Sequence, residues 1–134
     1  MDTIDILKQA RSVITDHKAW TRGTLVDVNE DGDACYCALG AICKAEFPDL
    51  LLDYQDPDKQ YDVYADLNKS AAVAAVVEVL LPNYRVLSIY GLNTHRVYAF
   101  NDSIGVDTAH ADVLAVFDAA IANEQAKASP VVQV

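Results

Sequence analysis

The sequence has little that would carry the protein out of the cytoplasm or into a membrane. None of its hydrophobic runs reaches the roughly 18 residues that a transmembrane helix needs. The N-terminus, MDTIDILKQ, carries acidic residues where a signal peptide has a basic start and a long apolar core. The three cysteines are an odd number, which fits a reducing compartment better than a disulfide framework. These absences predict a cytoplasmic protein with no membrane partner.

Basic residues are also scarce. Ten Lys and Arg residues stand against twenty Asp and Glu residues, and the net charge at pH 7 is -10. Non-specific binding of nucleic acid needs a basic face, so nucleic acid is excluded as a partner of that kind. The excess of acid favours cations or basic proteins instead. Seven of the acids lie in residues 46–66, together with a single lysine.

Hydrophobic periodicity predicts an α+β fold, mainly helical, with three to four helices around a small β-hairpin. The predicted elements are helices at residues 3–17, 38–46 and 70–81, strands at 24–28 and 34–37, and a final helix capped by Asp107 or Thr108. Residues 48–66 are predicted to be mostly loop, and the periodicity of residues 84–100 fits strand or helix. We expect one globular domain at residues 1–124 and a disordered tail at residues 125–134.

Four short motifs follow one another along the chain. They are Trp20-x-x-Gly23, Cys37-Ala38-x-Gly40-Ala41, Phe100-Asn101-Asp102, and a closing helix that contains Val113-Leu114 and Asp118-Ala119-Ala120-Ile121. In this order they resemble a family of small uncharacterised proteins from actinobacteria and their phages, a domain of unknown function. The usual Trp before Asn-Asp is Phe100 here. The resemblance implies a bacterial or phage origin and brings no established activity.

Cys37 is the one residue that could make the protein an enzyme. It directly precedes a predicted helix, whose N-terminal dipole lowers a thiol pKa. His95 and Asn101 or Asp102 follow in the chain order of papain-like cysteine hydrolases. The alternative is that Cys37 packs as a small buried hydrophobe among Ala38, Leu39 and Gly40.

The sequence predicts no metal and no cofactor. Asp27-x-Asn29-x-Asp31-Gly32-Asp33 copies the first half of an EF-hand loop, but position 12 is Ala38 instead of a bidentate Glu. A hairpin turn at Asp31-Gly32 explains these residues better. The cysteines lack C-x-x-C spacing, and neither a P-loop, a dinucleotide fingerprint nor a G-x-S-x-G motif is present.

The leading functional prediction is therefore a small, acidic, non-enzymatic accessory module of bacterial or phage origin. It would bind a basic host protein or a small-molecule signal, with phage counter-defence as one setting, and a Cys37-dependent hydrolase is the alternative. The candidate binding residues are Trp20, Tyr54, Tyr61, Tyr64, Asn101 and Asp102. The three tyrosines lie in the acidic segment, where each offers rigid contact area with a hydroxyl at its tip. Trp20 and Asn101 each have a structural alternative, as a core aromatic and as a turn residue.

Overall fold

Helices make up most of the chain, and one short hairpin lies among them. The structure is a computed structural model that describes residues 1–83, 92–103 and 107–128, without the side chains of residues 81–83. In chain order the elements are α1 (Thr3–Val13), a 3₁₀-helix (His17–Ala19), β1 (Val26–Val28), β2 (Ala34–Tyr36), α2 (Ala38–Glu46), α3 (Leu50–Tyr54), α4 (Gln60–Asn68), α5 (Ala71–Asn83), α6 (Asn93–Asn101) and α7 (His110–Ala128). The mainly helical α+β class is confirmed.

The prediction of three to four helices is wrong, because the described residues contain seven α-helices. Residues 48–66 were predicted as loop, yet they hold α3 and most of α4, and residues 84–100 end in α6. α3 buries Leu51, and α4 buries Val63 and Leu67 one turn apart. With so few buried residues, the hydrophobic residues of α3 and α4 show no clear helical spacing in the sequence. Such short helices are stabilised by tertiary packing. The strand considered for residues 85–90 lies outside the described residues.

α1 is shorter than the predicted helix at residues 3–17. Asp2 caps its start by accepting a hydrogen bond from the backbone N–H of Asp5 at 2.9 Å. At its other end the hydroxyls of Ser12 and Thr15 bond to backbone carbonyls of the preceding turn. Hydroxyls in such positions compete with the helical hydrogen bonds. Asp16 then caps the separate 3₁₀-helix through the backbone N–H of Lys18.

The hairpin confirms the predicted turn but has shorter strands than expected. β1 and β2 pair antiparallel, with Asp27 opposite Cys35. Gly32 has φ +82°, the left-handed conformation that a tight turn needs and that glycine adopts without strain. Outside the sheet, Trp20 forms an isolated β-bridge with Tyr36. This contact joins the hairpin to the segment that carries the Trp20-x-x-Gly23 motif.

α2 is the central helix of the core, and its predicted bounds are confirmed. Its first six residues are all buried. α5 packs nearby and starts as predicted, with the Ser70 hydroxyl accepting a hydrogen bond from the backbone N–H of Val73 at 3.2 Å. α5 continues two residues past the predicted end and includes Pro82 in its last turn.

α7 closes the fold against α1 and α5. The spacing of its hydrophobic residues predicts a buried stripe of Val113, Val116, Phe117, Ala120 and Ile121. The first four are buried, and Ile121 is partly buried against the core. The helix begins at His110, after the two predicted capping residues, and runs to Ala128. Residues 125–128, expected in a disordered tail, are therefore helical, and residues 129–134 lie outside the described residues. Nowhere in the described part of the chain is a helix long and apolar enough to cross a membrane.

Candidate functional site

Asn101 connects three parts of the chain through one fully buried side chain. Its Oδ1 accepts hydrogen bonds from the indole Nε1 of Trp20 at 2.7 Å and from the backbone N–H of Ala38 at 2.9 Å. Its Nδ2 donates to the carbonyl of Thr21 and to Oδ1 of Asp102, both at 3.0 Å. A primary amide offers two acceptor and two donor positions, and all four are used here. Asn101 is therefore a structural anchor with no remaining capacity to orient an imidazole.

Trp20 belongs to the same anchor. The guanidinium of Arg22 lies 4.7 Å from the centroid of its indole, and the ring of His110 lies 5.4 Å away. The guanidinium also donates to the backbone carbonyls of Asn101 and Thr108. These contacts occupy both the indole N–H and the ring surface. They support the structural role of Trp20 over the predicted role in ligand binding.

The start of α2 lies against the backbone of Leu25. The N–H of Cys37 donates to the Leu25 carbonyl at 3.3 Å. A Cβ on Gly40 would lie only 1.8 Å from the same carbonyl oxygen. No side chain fits in that space, which explains why glycine occupies the fourth position of the Cys37-Ala38-x-Gly40 motif.

A cavity of about 250 Å³ opens beside this contact, between residues 23–25, α4, α6 and the start of α2. Side chains with polar groups in its lining come from Thr24, Cys37, Tyr64, His95, Tyr98 and Asp102. This space suits a small molecule and is too small for a folded segment of a partner protein. We call it the head cavity.

The structure thus brings some of the predicted site residues together and separates others. Cys37, His95, Asp102 and Tyr64 line the head cavity, although they are far apart in sequence. Trp20, Tyr54, Tyr61 and Asn101 are not among the residues that line it.

Cys37 lies at the N-terminus of α2, as predicted, and its thiol is buried there. It is 2% exposed, and its Sγ accepts a hydrogen bond from the Gly40 N–H at 3.3 Å. Burial raises the pKa of the thiol to about 12, and the negative charge of Asp102 acts in the same direction. The hydrogen bond lowers the pKa, but burial has the larger effect. The expectation of a pKa lowered by the helix dipole is wrong for this buried thiol.

Asp102 supplies the negative charge of the head cavity. Its Oδ1 accepts hydrogen bonds from the Gly23 N–H at 2.9 Å and from Asn101 at 3.0 Å. No described residue donates a hydrogen bond to its other oxygen, Oδ2. Asp102 is also the C-terminal cap of α6, where the helix dipole is negative. Carboxylate and dipole together favour a cation at this end of the cavity.

The three predicted tyrosines do not form one surface. Tyr54 and Tyr64 are half-buried and pack edge to face, with ring centroids 6.1 Å apart. The Tyr54 hydroxyl also lies 3.2 Å from the hydroxyl of Thr24, a lining residue of the head cavity. Burial and the hydrogen bond with Tyr54 raise the pKa of Tyr64 above its ordinary value. Tyr61 is 82% exposed and lines a second cavity together with Tyr64.

The loop at residues 27–33 is a hairpin turn with its side chains turned to its own backbone. Oδ1 of Asn29 accepts hydrogen bonds from the N–H groups of Asp31 and Asp33 at 2.9 and 3.0 Å. Asp31 pairs with Lys18 at 3.2 Å. Within the described ranges, no cluster of three or more His, Cys, Asp or Glu residues is arranged to hold a metal ion.

A comparison with models of protein families identifies the family to which the chain is related. A model described as a family of unknown function, DUF6197, matches residues 1–123. The chain belongs to DUF6197. No curated protein and no solved structure is similar to it.

The sequence of this DUF6197 member contains a signal for the cavity that reasoning from periodicity missed. His95, Tyr98 and Asp102 are spaced i, i+3 and i+7, which places them on one side of a helix. That spacing is informative only if residues 93–101 are known to be helical, and their pattern fits strand as well. Gly23 was identified only as part of a motif, and the hydroxyl of Thr24 was assigned no role in the sequence analysis.

Proposed function

We propose that this DUF6197 protein is a non-enzymatic module that binds a small, positively charged molecule in the head cavity. The observation that carries the proposal is the position of Asp102, whose carboxylate lines a cavity that also contains aromatic side chains. A carboxylate forms charge-assisted hydrogen bonds with an ammonium group. The rings of Tyr64 and Tyr98 add surfaces that attract a cation.

The electrostatics around the cavity support the same ligand class. The net charge of -10 attracts cations toward the protein as a whole. An anionic ligand would meet both the carboxylate of Asp102 and the negative end of α6. A primary amine matches these features.

The experiment compares butylamine with butyrate, two molecules of similar size and opposite charge. We expect butylamine to shift the amide resonances of Gly23 and Asp102 saturably in two-dimensional NMR, and butyrate to leave them unchanged. Asp102→Asn keeps an oxygen that can accept from the Gly23 N–H but removes the charge, and should weaken butylamine binding about tenfold or more.

The control is Asp33→Asn, which removes the same charge from an exposed position on the hairpin. It should leave butylamine binding unchanged. Absence of any saturable shift, or equal binding by the Asp102→Asn protein, would refute the proposal.

A cysteine-dependent hydrolase is the second candidate, because Cys37 and His95 line the same cavity. Its third member would have to be Asp102, since the amide of Asn101 is saturated. The raised thiol pKa opposes this function. Iodoacetamide labelling at pH 7.5, followed by peptide mass spectrometry, separates the two proposals. We expect Cys37 to react more slowly than glutathione, and faster reaction would favour the hydrolase.

The binding proposal includes two broader predictions, one about the biological setting and one about a protein partner. The motif resemblance supports a bacterial or phage setting, in which a small-molecule signal of the host is a suitable ligand. The acids of α3, α4 and the turn between them support an additional basic protein partner, because negative charges complement a basic surface. Leu52 and Tyr61, which are 72% and 82% exposed, add apolar contact area beside them. Replacement of Asp53, Asp56 and Asp58 by Asn should then slow association with that partner at low salt.

A further inference from the structure

A second cavity of about 390 Å³ adjoins the head cavity. Tyr64 and His95 line both spaces, so these two side chains lie at the boundary between them. The second cavity lies between α4 and the start of α6. Its remaining lining includes Tyr61, Ala65 and Leu92. We call it the tail cavity.

Most of the exposed lining of the tail cavity is apolar, although Asn68, Lys69 and Thr94 also line it, whereas the head cavity contains the carboxylate of Asp102. Tyr61 and Leu92 are 82% and 47% exposed, and both are among the large hydrophobic side chains that remain open to solvent in the described residues. Two such side chains at the mouth of one cavity form a surface that is stabilised when an apolar group covers it. A molecule that is held at Asp102 and extends beyond the head cavity on the side of Tyr64 and His95 would meet this space.

We propose that the ligand of this protein is an amphipathic amine, with an ammonium head at Asp102 and an aromatic or alkyl tail in the tail cavity. The inference rests on the proposed function and adds the chemical class of the ligand. The shared lining residues Tyr64 and His95 place the two cavities side by side, which gives the tail its position. The carboxylate of Asp102 in the head cavity and the mostly apolar exposed lining of the tail cavity set its orientation. Tyr61 and Leu92 are the residues that determine specificity for the tail.

The test uses butylamine and 4-phenylbutylamine, which share the same head and chain and differ by one phenyl ring. We expect the phenyl compound to bind about tenfold tighter by calorimetry, because the ring covers apolar surface at Tyr61 and Leu92. Its binding should also shift the NMR signals of Ala65 and Leu92, which butylamine leaves in place.

Tyr61→Ser tests the tail cavity without disturbing the core, because Tyr61 is almost fully exposed. It should remove most of the gain from the phenyl ring and leave butylamine affinity unchanged. Leu52→Ser is the matched control, since Leu52 is an exposed apolar residue of the neighbouring helix that is not among the lining residues of either cavity. It should retain the full gain.

The possible outcomes separate the two proposals. If butylamine binds through Asp102 but the phenyl ring adds nothing, the amphipathic ligand is ruled out and the head cavity stands. The same conclusion follows if Tyr61→Ser and Leu52→Ser reduce the gain equally. If the phenyl compound binds with the same affinity to the Asp102→Asn protein, the proposal that one ligand occupies both cavities is refuted. If neither amine binds, the proposed function itself fails.

Discussion

The Cα of Gly40 lies so close to the backbone of Leu25 that a Cβ would come within 1.8 Å of the Leu25 carbonyl oxygen and 2.7 Å of its carbonyl carbon. The obstructing atoms are backbone, and the same carbonyl accepts the hydrogen bond from Cys37. Relief of the clash therefore requires α2 and the Leu25 segment to move apart. This contact also forms one side of the head cavity.

The first prediction is that Gly40→Ala strongly destabilises the protein. Overpacking against backbone should lower the free energy of unfolding by about 3 kcal/mol or more, despite the better helix propensity of alanine. Urea unfolding followed by circular dichroism measures the change. Lys44→Ala, an exposed substitution in the same helix, should change it by less than about 0.5 kcal/mol. An equal effect of the two substitutions would show that the close contact is absent in solution.

The second prediction concerns the hydrogen bond between Trp20 and Asn101. Asn101→Ala leaves the indole N–H of Trp20 and the backbone N–H of Ala38 without their acceptor, at a cost of about 2–4 kcal/mol. Trp20→Phe removes one of these donors. In a double-mutant cycle the two substitutions should therefore show a coupling energy above about 1 kcal/mol. Additive effects, with a coupling near zero, would contradict the anchor.

The third prediction follows from the buried thiols. Burial raises the pKa of Cys37 to about 12, and burial followed by the charge of Glu46 does the same for Cys43. In the unfolded chain both thiols lose their protons near pH 9, so between pH 9 and 12 the folded state binds more protons. Stability is therefore unaffected by these groups below pH 9 and falls as pH rises toward 12.

Each thiol should contribute a slope of about 1.4 kcal/mol per pH unit within that window. Urea unfolding between pH 8 and 11 measures the total slope. Cys37→Ser removes one titrating group and should reduce the slope by about one proton, which separates the thiol from other groups that titrate in alkali. An unchanged slope in the variant would mean that Cys37 ionises in the folded protein as easily as in the unfolded chain.

The fourth prediction is that the loop at residues 27–33 does not bind calcium at micromolar concentration. The loop lacks the bidentate acid of an EF-hand, and Oδ1 of Asn29 is already bonded to two backbone N–H groups. Calorimetric titration with calcium chloride should give no saturable heat. Saturable binding that disappears in Asp31→Asn would overturn this expectation.

The sequence predicted the helices in which buried hydrophobic residues repeat at helical spacing over several turns. α2 and α7 have enough buried positions for their spacing to identify them, and Asp31-Gly32 identifies the hairpin turn. α3 and α4 were missed, and α6 was left open between strand and helix, because each depends on contacts with distant segments. The same limit applies to the site, since no local pattern shows that Asn101 reaches Trp20 or that Asp102 reaches Gly23.

The bond between Trp20 and Asn101 joins residues 81 positions apart, which bears on how the protein is made. A ribosome adds about 5–20 residues per second, so Trp20 leaves the exit tunnel roughly 4–16 seconds before Asn101 does. During that interval the indole N–H and the N-terminal end of α2 have no acceptor from Asn101. The segment around Trp20 and the start of α2 therefore cannot reach its final arrangement until Asn101 has left the ribosome.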